Sequence, residues 1–241
     1  MSGQRHTHET PKETAAACAQ HILGLLEDAT AGGADASFAV SGGSTPRLMF
    51  EAFARTKFDW SRVHLFWVDE RAVPPSHDQS NFRLAEQTFL LPARFPTRNI
   101  HRIQAELRPE LAAERYVADL RAFFGVLEGD APVFDVIHQG IGPDAHTASL
   151  FPGEPLIEDR DRIAAAVWSE PQSQWRITLA PLTLLAARHT IMLVTGADKK
   201  QALSHVFHSE YSPLSYPAQI VRNAREVTWY FDRAAAEDLD V

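Results

Sequence analysis

Apolar residues recur along this chain with two periods, and their alternation predicts the architecture. In 11–29 they fall at positions 15, 18, 22, 25, 26 and 29, the spacing of one helix face. Gly32-Gly33 then marks an end. Residues 37–40 form a short apolar run before glycines and predict a strand, while 46–56, opening on a proline, predict a helix. The β-branched and aromatic run 63–69 (VHLFWVD) predicts a second strand. Residues 81–90 and 106–124 have helical patterns, and 133–137 (VFDVI) predicts a strand running toward Gly140. Strand patterns also occupy 163–167 and 176–179. Residues 191–195 (IMLVT) predict a strand with a helix, 197–207, behind it; 227–231 (VTWYF) closes the series before a short helix from Asp232.

Strands alternating with helices predict an α/β fold with a mostly parallel sheet and helices on both faces. There is no internal repeat or low-complexity linker. Residues 1–10 and 71–80 lack either period, so the expectation is a flexible N-terminus, 1–10, ahead of a single domain, 11–241.

Composition narrows the function classes. With 23 basic and 31 acidic residues the net charge is −8, and 45% of the 241 residues are hydrophobic. That is the makeup of a globular protein able to bury its own core. A single cysteine, Cys18, excludes an intrachain disulfide and a cysteine-based zinc cluster and fits a reducing compartment. No apolar run approaches the ~18 residues of a membrane span, and the first residues lack the apolar core of a signal peptide. The acidic balance argues against generic nucleic-acid binding, but not against a small anionic substrate held by cations gathered in one pocket.

In parallel α/β sheets ligands bind beyond the carboxyl ends of the strands, which directs attention to the segments after Val40, Asp69, Ile137 and Thr195. The first is Ser41-Gly42-Gly43-Ser44-Thr45-Pro46. Two glycines allow close backbone approach, and a helix N-terminus follows. Gly42, Gly43, Ser44 and Thr45 are therefore candidates for a phosphate cradle, although a plain glycine turn with a hydroxyl cap has the same pattern. The second is Asp69-Glu70-Arg71: either a surface ion-pair cluster, or a carboxylate for substrate hydroxyls beside a guanidinium for an oxyanion or phosphate. The third, Gly140 to Gly153, pairs Asp144 with His146 in a glycine-rich turn. A neutral imidazole there can take a proton from water while the carboxylate orients it. His138 and His146 have no third ligand at a metal-binding spacing, so no metal is expected. The fourth sets Lys199 at a helix N-terminus, against the dipole, which fits either a nearby anion or a solvated side chain. Arg176 is a further cation on a strand pattern.

Taken in order, SGGSTP, DERAVP with a following SN, GIGPDAHTASLFPG, RIT, GADKKQAL and the terminal VTWYFD resemble the 6-phosphogluconolactonase family over about residues 11–236. The resemblance implies a Rossmann-like three-layer α/β/α sandwich, shared with glucosamine-6-phosphate deaminase and ribose-5-phosphate isomerase. It implies hydrolysis of 6-phospho-D-glucono-1,5-lactone to 6-phospho-D-gluconate, the second step of the oxidative pentose phosphate pathway, in the cytoplasm and without cofactor. The partner it implies is a phosphorylated sugar lactone, not nucleic acid or membrane, and the protein would be a monomer or small homo-oligomer. By the same resemblance the SGGST loop, Arg176 and Lys199 hold the phosphate and His146 is the base; the chemistry of lactone hydrolysis then gives Arg71 or a backbone N–H the developing oxyanion. Two alternatives stay open: a deaminase-like aldose–ketose isomerase, and an inactive sugar-phosphate sensor. Arg71 and the ASLFP run after His146 speak against the isomerase. The chain departs from the family at Ala145, where the family usually has glycine. Retention of the flanking motif predicts φ < 0 there, with the methyl turned away from the lactone.

Overall fold

The structure, a computed structural model, describes residues 3–239. Among these residues, seven strands form one sheet: β1 (Gln4–His8), β2 (Ala36–Val40), β3 (Val63–Trp67), β5 (Ile100–His101), β6 (Val136–Gln139), β9 (His189–Val194) and β10 (Val227–Asp232). Their order is β1-β10-β9-β6-β2-β3-β5, and every pairing is parallel. Helices α1 (Pro11–Thr30) and α2 (Ser44–Ala54) cover one face. Along β10, Tyr230 turns toward His21 of α1, while Trp229 and Phe231 turn toward Phe207 of α6 (Lys200–His208) on the other face. This is the three-layer α/β/α sandwich.

Local chemistry accounts for the elements. The Thr10 hydroxyl accepts from the Glu13 N–H at 3.2 Å and the Glu13 carboxylate accepts from the Thr10 N–H at 3.1 Å, a reciprocal cap that starts α1 with Pro11 in its first turn. Ala15, Cys18, Ile22 and Leu26 then form its buried face. The 106–124 pattern becomes helical only at α4 (Pro109–Phe124), where the proline fixes the first turn. The 81–90 pattern splits into α3 (Asn81–Ala85) and a π-helical turn, Glu86–Leu90, closed by the Leu91 N–H on the Glu86 carbonyl at 3.0 Å.

Two expectations need correction. Residues 4–8 are not a loose end but edge strand β1, paired in register with β10; residues 1–2 of the expected flexible terminus lie outside the described residues. The run 63–69 is not one strand. The Val68 N–H donates to Val40 in the parallel sheet at 2.9 Å, and its carbonyl accepts from Leu179 at 2.8 Å. Beyond that residue the chain belongs to a second, antiparallel sheet, in which β4 (Asp69–Arg71) pairs with β8 (Gln174–Leu179) and β8 with β7 (Ala164–Ser169). The 163–167 and 176–179 patterns are these strands. Strand β8 lies outside the parallel sheet and brings Arg176 directly opposite Arg71.

From β2 the chain proceeds outward through β3 to β5, then returns to place β6 on the other side of β2 and continues to β9 and β10. The loops after β2 and β6 therefore diverge from neighbouring strands, leaving a crevice at the strand ends where the order reverses.

Candidate active site

The crevice holds a cavity of about 250 Å³, lined from the loops after β2, β6 and β9 and from the second sheet. Nine of the ten residues singled out from sequence line it: Gly42, Gly43, Ser44 and Thr45 from the first loop, Asp69 and Arg71 from β4, His146 after β6, Arg176 from β8 and Lys199 after β9. Asp144, the tenth, stands behind His146. Three of these lining side chains are cations, against one carboxylate, so a chain of net charge −8 has gathered positive charge in one place.

The first loop is built for close approach. A Cβ on Gly42 would lie 1.9 Å from Asn81 Oδ1, so no side chain fits there. No side chain caps the N-terminus of α2, which leaves its first-turn N–H groups for an anion. The Thr45 and Thr195 hydroxyls share a hydrogen bond of 2.8 Å, tying the α2 end to the end of β9.

The DER triplet divides its work. Asp69 lines the cavity and accepts from the Ser149 hydroxyl at 2.7 Å. Glu70 is buried beneath α3, where it accepts from the N–H groups of Arg71, Asn81 and Phe82 and from the Ser80 hydroxyl, at 2.8–3.0 Å. Burial lifts its carboxyl above the usual range against the pull of those bonds. It anchors the helix. Arg71 donates to the Gln79 carbonyl at 2.6 Å, and its Nε is buried without a partner among the described residues.

The third loop holds Asp144 and His146 in direct contact. His146 Nδ1 lies 2.5 Å from Asp144 Oδ1, and the His146 N–H donates to the same oxygen at 3.2 Å. Burial raises the Asp144 carboxyl, but the hydrogen bond and charge of His146 outweigh it and hold the group below the ordinary carboxylate range. With Nδ1 engaged, Nε2 is left as the working nitrogen. The ring leans on Phe151, centroids 4.9 Å apart. A Cβ on Gly142 would sit 2.0 Å from His146 Nδ1 and 2.7 Å from Asp144 Oδ1, so glycine is required for the imidazole to fold over this turn.

At Ala145 the expectation of negative φ is wrong: φ is +66°, and Ala148 beyond the histidine has φ +51°. The turn demands the left-handed region because the Ala145 N–H donates back to Gly142 at 3.0 Å while its carbonyl accepts from Ala218 at 2.8 Å. Ala145 is fully buried and does not line the cavity, so its methyl does point away from the substrate space. The alanine strains the turn without unmaking it, since the Asp144–His146 contact is in place.

Arg176 is 6% exposed, and its guanidinium donates to Gln172 Oε1. Burial lowers its proton affinity, Asp69 offsets part of this, and Arg71 across the strand adds to it. Lys199 pairs with Asp198 at 2.9 Å, with the Lys199 side chain 19% exposed. No group of three or more His, Cys, Asp or Glu side chains among the described residues could hold a metal. Sequence reasoning missed Ser149, Asn81, Thr195 and Gln172. Of these, Thr195 follows a strand end and Asn81 stands in the SN pair after the DER element, which are signals; Gln172 carried none.

A sequence model described as Glucosamine-6-phosphate isomerases/6-phosphogluconolactonase matches residues 9–229. The chain belongs to this family. It is 39% identical over 204 residues to a 6-phosphogluconolactonase of Synechocystis sp., covering 84% of each chain. It is 37% identical over 206 residues to one of Nostoc sp., covering 85% of each. The solved 6-phosphogluconolactonase of Trypanosoma brucei superposes with a TM-score of 0.89 at 27% identity, covering 99% of both chains. The three-layer sandwich of that solved structure is the architecture found here. No described helix is long and apolar enough to cross a membrane.

Proposed function

We propose that this protein is a 6-phosphogluconolactonase, hydrolysing 6-phospho-D-glucono-1,5-lactone to 6-phospho-D-gluconate in the second step of the oxidative pentose phosphate pathway. The observation that carries the reading is the Asp144–His146 pair at the mouth of a cavity that also holds Arg71, Arg176 and Lys199. A base that activates water and a set of cations that holds phosphate are the two requirements of this reaction. Relatives bearing the lactonase name match across most of the chain.

In this reading the α2 N-terminus, Ser44, Thr45, Arg176 and Lys199 hold the phosphate, and Asp69 accepts from a sugar hydroxyl. His146 Nε2 removes a proton from water as its oxygen bonds to C1. Arg71 or a backbone N–H receives the developing oxyanion. As the tetrahedral species collapses, the C1–ring oxygen bond breaks and His146 returns its proton to that oxygen. Asp144 keeps the imidazole in the tautomer that needs this order and stabilises its charged form. Water alone is consumed and no covalent nucleophile is required. The proposal includes a single domain that takes in β1 as well as the elements after it, a cytoplasmic setting, and action as a monomer or small homo-oligomer without nucleic acid or cofactor.

The test is the initial hydrolysis rate on freshly generated 6-phosphogluconolactone, corrected for spontaneous hydrolysis, with glucosamine 6-phosphate in parallel. Turnover of the lactone alone is expected, and His146→Ala should lose about 10²–10⁴-fold in kcat. Turnover of the amino sugar alone, or near wild-type kcat in the variant, would overturn the reading.

A further inference from the structure

Arg176 is buried, yet the acceptor that holds its guanidinium comes from an exposed residue. Gln172 lies in the turn Glu170–Gln172 that joins β7 to β8, and its amide oxygen accepts from Arg176 Nη2. The turn closes through Ser173 in the left-handed region, at φ +46°. Gln172 lines the catalytic cavity and also a second one alongside it, bounded by Arg71, Gln79, Ser173, Gln174 and Arg176. Across that second cavity Gln174 Nε2 donates to Gln79 Oε1 at 2.9 Å, and the Gln79 carbonyl holds Arg71.

Two guanidiniums directly opposite each other repel, and a buried guanidinium without an acceptor is costly. A phosphate dianion would relieve both. Before it arrives, a neutral amide oxygen is an acceptor weak enough to be exchanged, because bonds between charged partners are stronger than those to neutral ones. An exposed glutamine at a turn can leave by rotating its own side chain.

We propose that Gln172 is a specificity-setting positioning residue, a neutral stand-in that holds Arg176 toward the cavity until a phosphoryl oxygen displaces it. This rests on the lactonase reading for its substrate, though not for the phosphate contact itself. Substrate binding then exchanges one acceptor for another on Arg176 Nη2. The neutrality of Gln172 sets how readily an anion, rather than an uncharged sugar, completes the exchange.

The test uses Gln172→Ala, Gln172→Glu and the paired change Glu170→Gln with Gln172→Glu, which keeps the net charge of the turn. Steady-state lactone hydrolysis and direct binding of inorganic phosphate by calorimetry are the readouts. Removing the competitor in Gln172→Ala should lower KM and the phosphate Kd together, by about tenfold or more, because a hydrogen bond from an ionised guanidinium is worth about 1.5–3 kcal/mol. A carboxylate on Arg176 should raise both at least about tenfold. The paired variant should show the same rise, since the effect is contact and not long-range charge, and kcat should stay within about twofold throughout. A rise in Kd for Gln172→Ala would mean that the amide is itself a phosphate ligand and would overturn the proposal. So would a paired variant like wild type, or a change confined to kcat. Phosphate binding that follows the expected order in a protein without lactone turnover would remove the lactonase reading and leave the role of Gln172 standing.

Discussion

Replacing Ala145 by glycine isolates the strain in the turn that carries Asp144 and His146. At an ordinary buried alanine the substitution costs about 0.5–1 kcal/mol of backbone entropy and about 0.8 kcal/mol for the lost methyl, or roughly 1.3–1.8 kcal/mol. Ala15 is such a site, fully buried within α1. Ala145 is equally buried but has φ +66°, where an L side chain costs about 1–2 kcal/mol that glycine does not. The two losses and the relief nearly cancel at 145. Ala145→Gly should therefore leave stability within about 1 kcal/mol of wild type, while Ala15→Gly is about 1–2 kcal/mol worse. In a chain of this size that gap is about 2–8 °C in Tm, at about 2–4 °C per kcal/mol. Urea unfolding of the three proteins measures it. Because the methyl lies outside the cavity, kcat/KM should change by less than about threefold, or ~0.7 kcal/mol. Equal destabilisation of the two variants would refute the strain argument, and a tenfold faster Ala145→Gly would show that strain reaches the reaction centre.

Other consequences are as direct. Asp144→Asn should lower kcat by about 10–100-fold through loss of a charge-assisted bond of about 1.5–3 kcal/mol, with KM little changed. Gly142→Ala, whose Cβ would lie 2.0 Å from His146 Nδ1, should abolish most turnover while near-native far-UV dichroism is kept. Truncating Arg176 or Lys199 should mainly raise KM and the inhibition constant of inorganic phosphate; unchanged constants in both would place the phosphate elsewhere. His138 is fully buried, with neither ring nitrogen hydrogen-bonded among the described residues, and burial pushes its pKa down to about 3. The unfolded chain, with histidine near 6.5, binds the extra proton first. Stability is therefore intact above about pH 6.5 and is lost as pH falls toward 3, by up to about 5 kcal/mol. Urea midpoints between pH 8 and 4 should show this slope, and His138→Leu should flatten it.

The sequence predicted the central strands and their order of helices because β2, β3, β6, β9 and β10 are buried on both faces and read as apolar runs. Strand β1 was invisible for the opposite reason. Gln4, Arg5, His6, Thr7 and His8 include no aliphatic residue, and the segment is ordered by backbone pairing with β10 and by His6 and His8 stacking on Tyr230. The change of sheet at Val68 was hidden too. Hydrophobicity runs unbroken through the residue, and what divides the strands is which neighbour each backbone group meets. No periodicity records that.

The candidate site was legible to the degree that its chemistry lies at strand ends. Gly42 to Thr45, Asp69, Arg71, His146 and Lys199 all follow or end apolar runs, and a parallel sheet brings such positions together whatever their separation in sequence. Arg176 came to the cavity by another route, through an antiparallel pairing that sets it opposite Arg71. From sequence it was a cation on a strand, and only the pairing makes it half of a repelling pair that an anion relieves. Ala145 and Ala148 mark the boundary of what residue types can tell. Alanine is neutral in pattern and ordinary in composition, yet here two alanines with positive φ flank the histidine. The turn is held by Gly142, by the Ala145 hydrogen bonds on either side and by the Asp144 contact. Those long-range contacts impose the conformation, so the local sequence need not favour it. That is why alanine can stand at 145 while the Asp144–His146 contact persists.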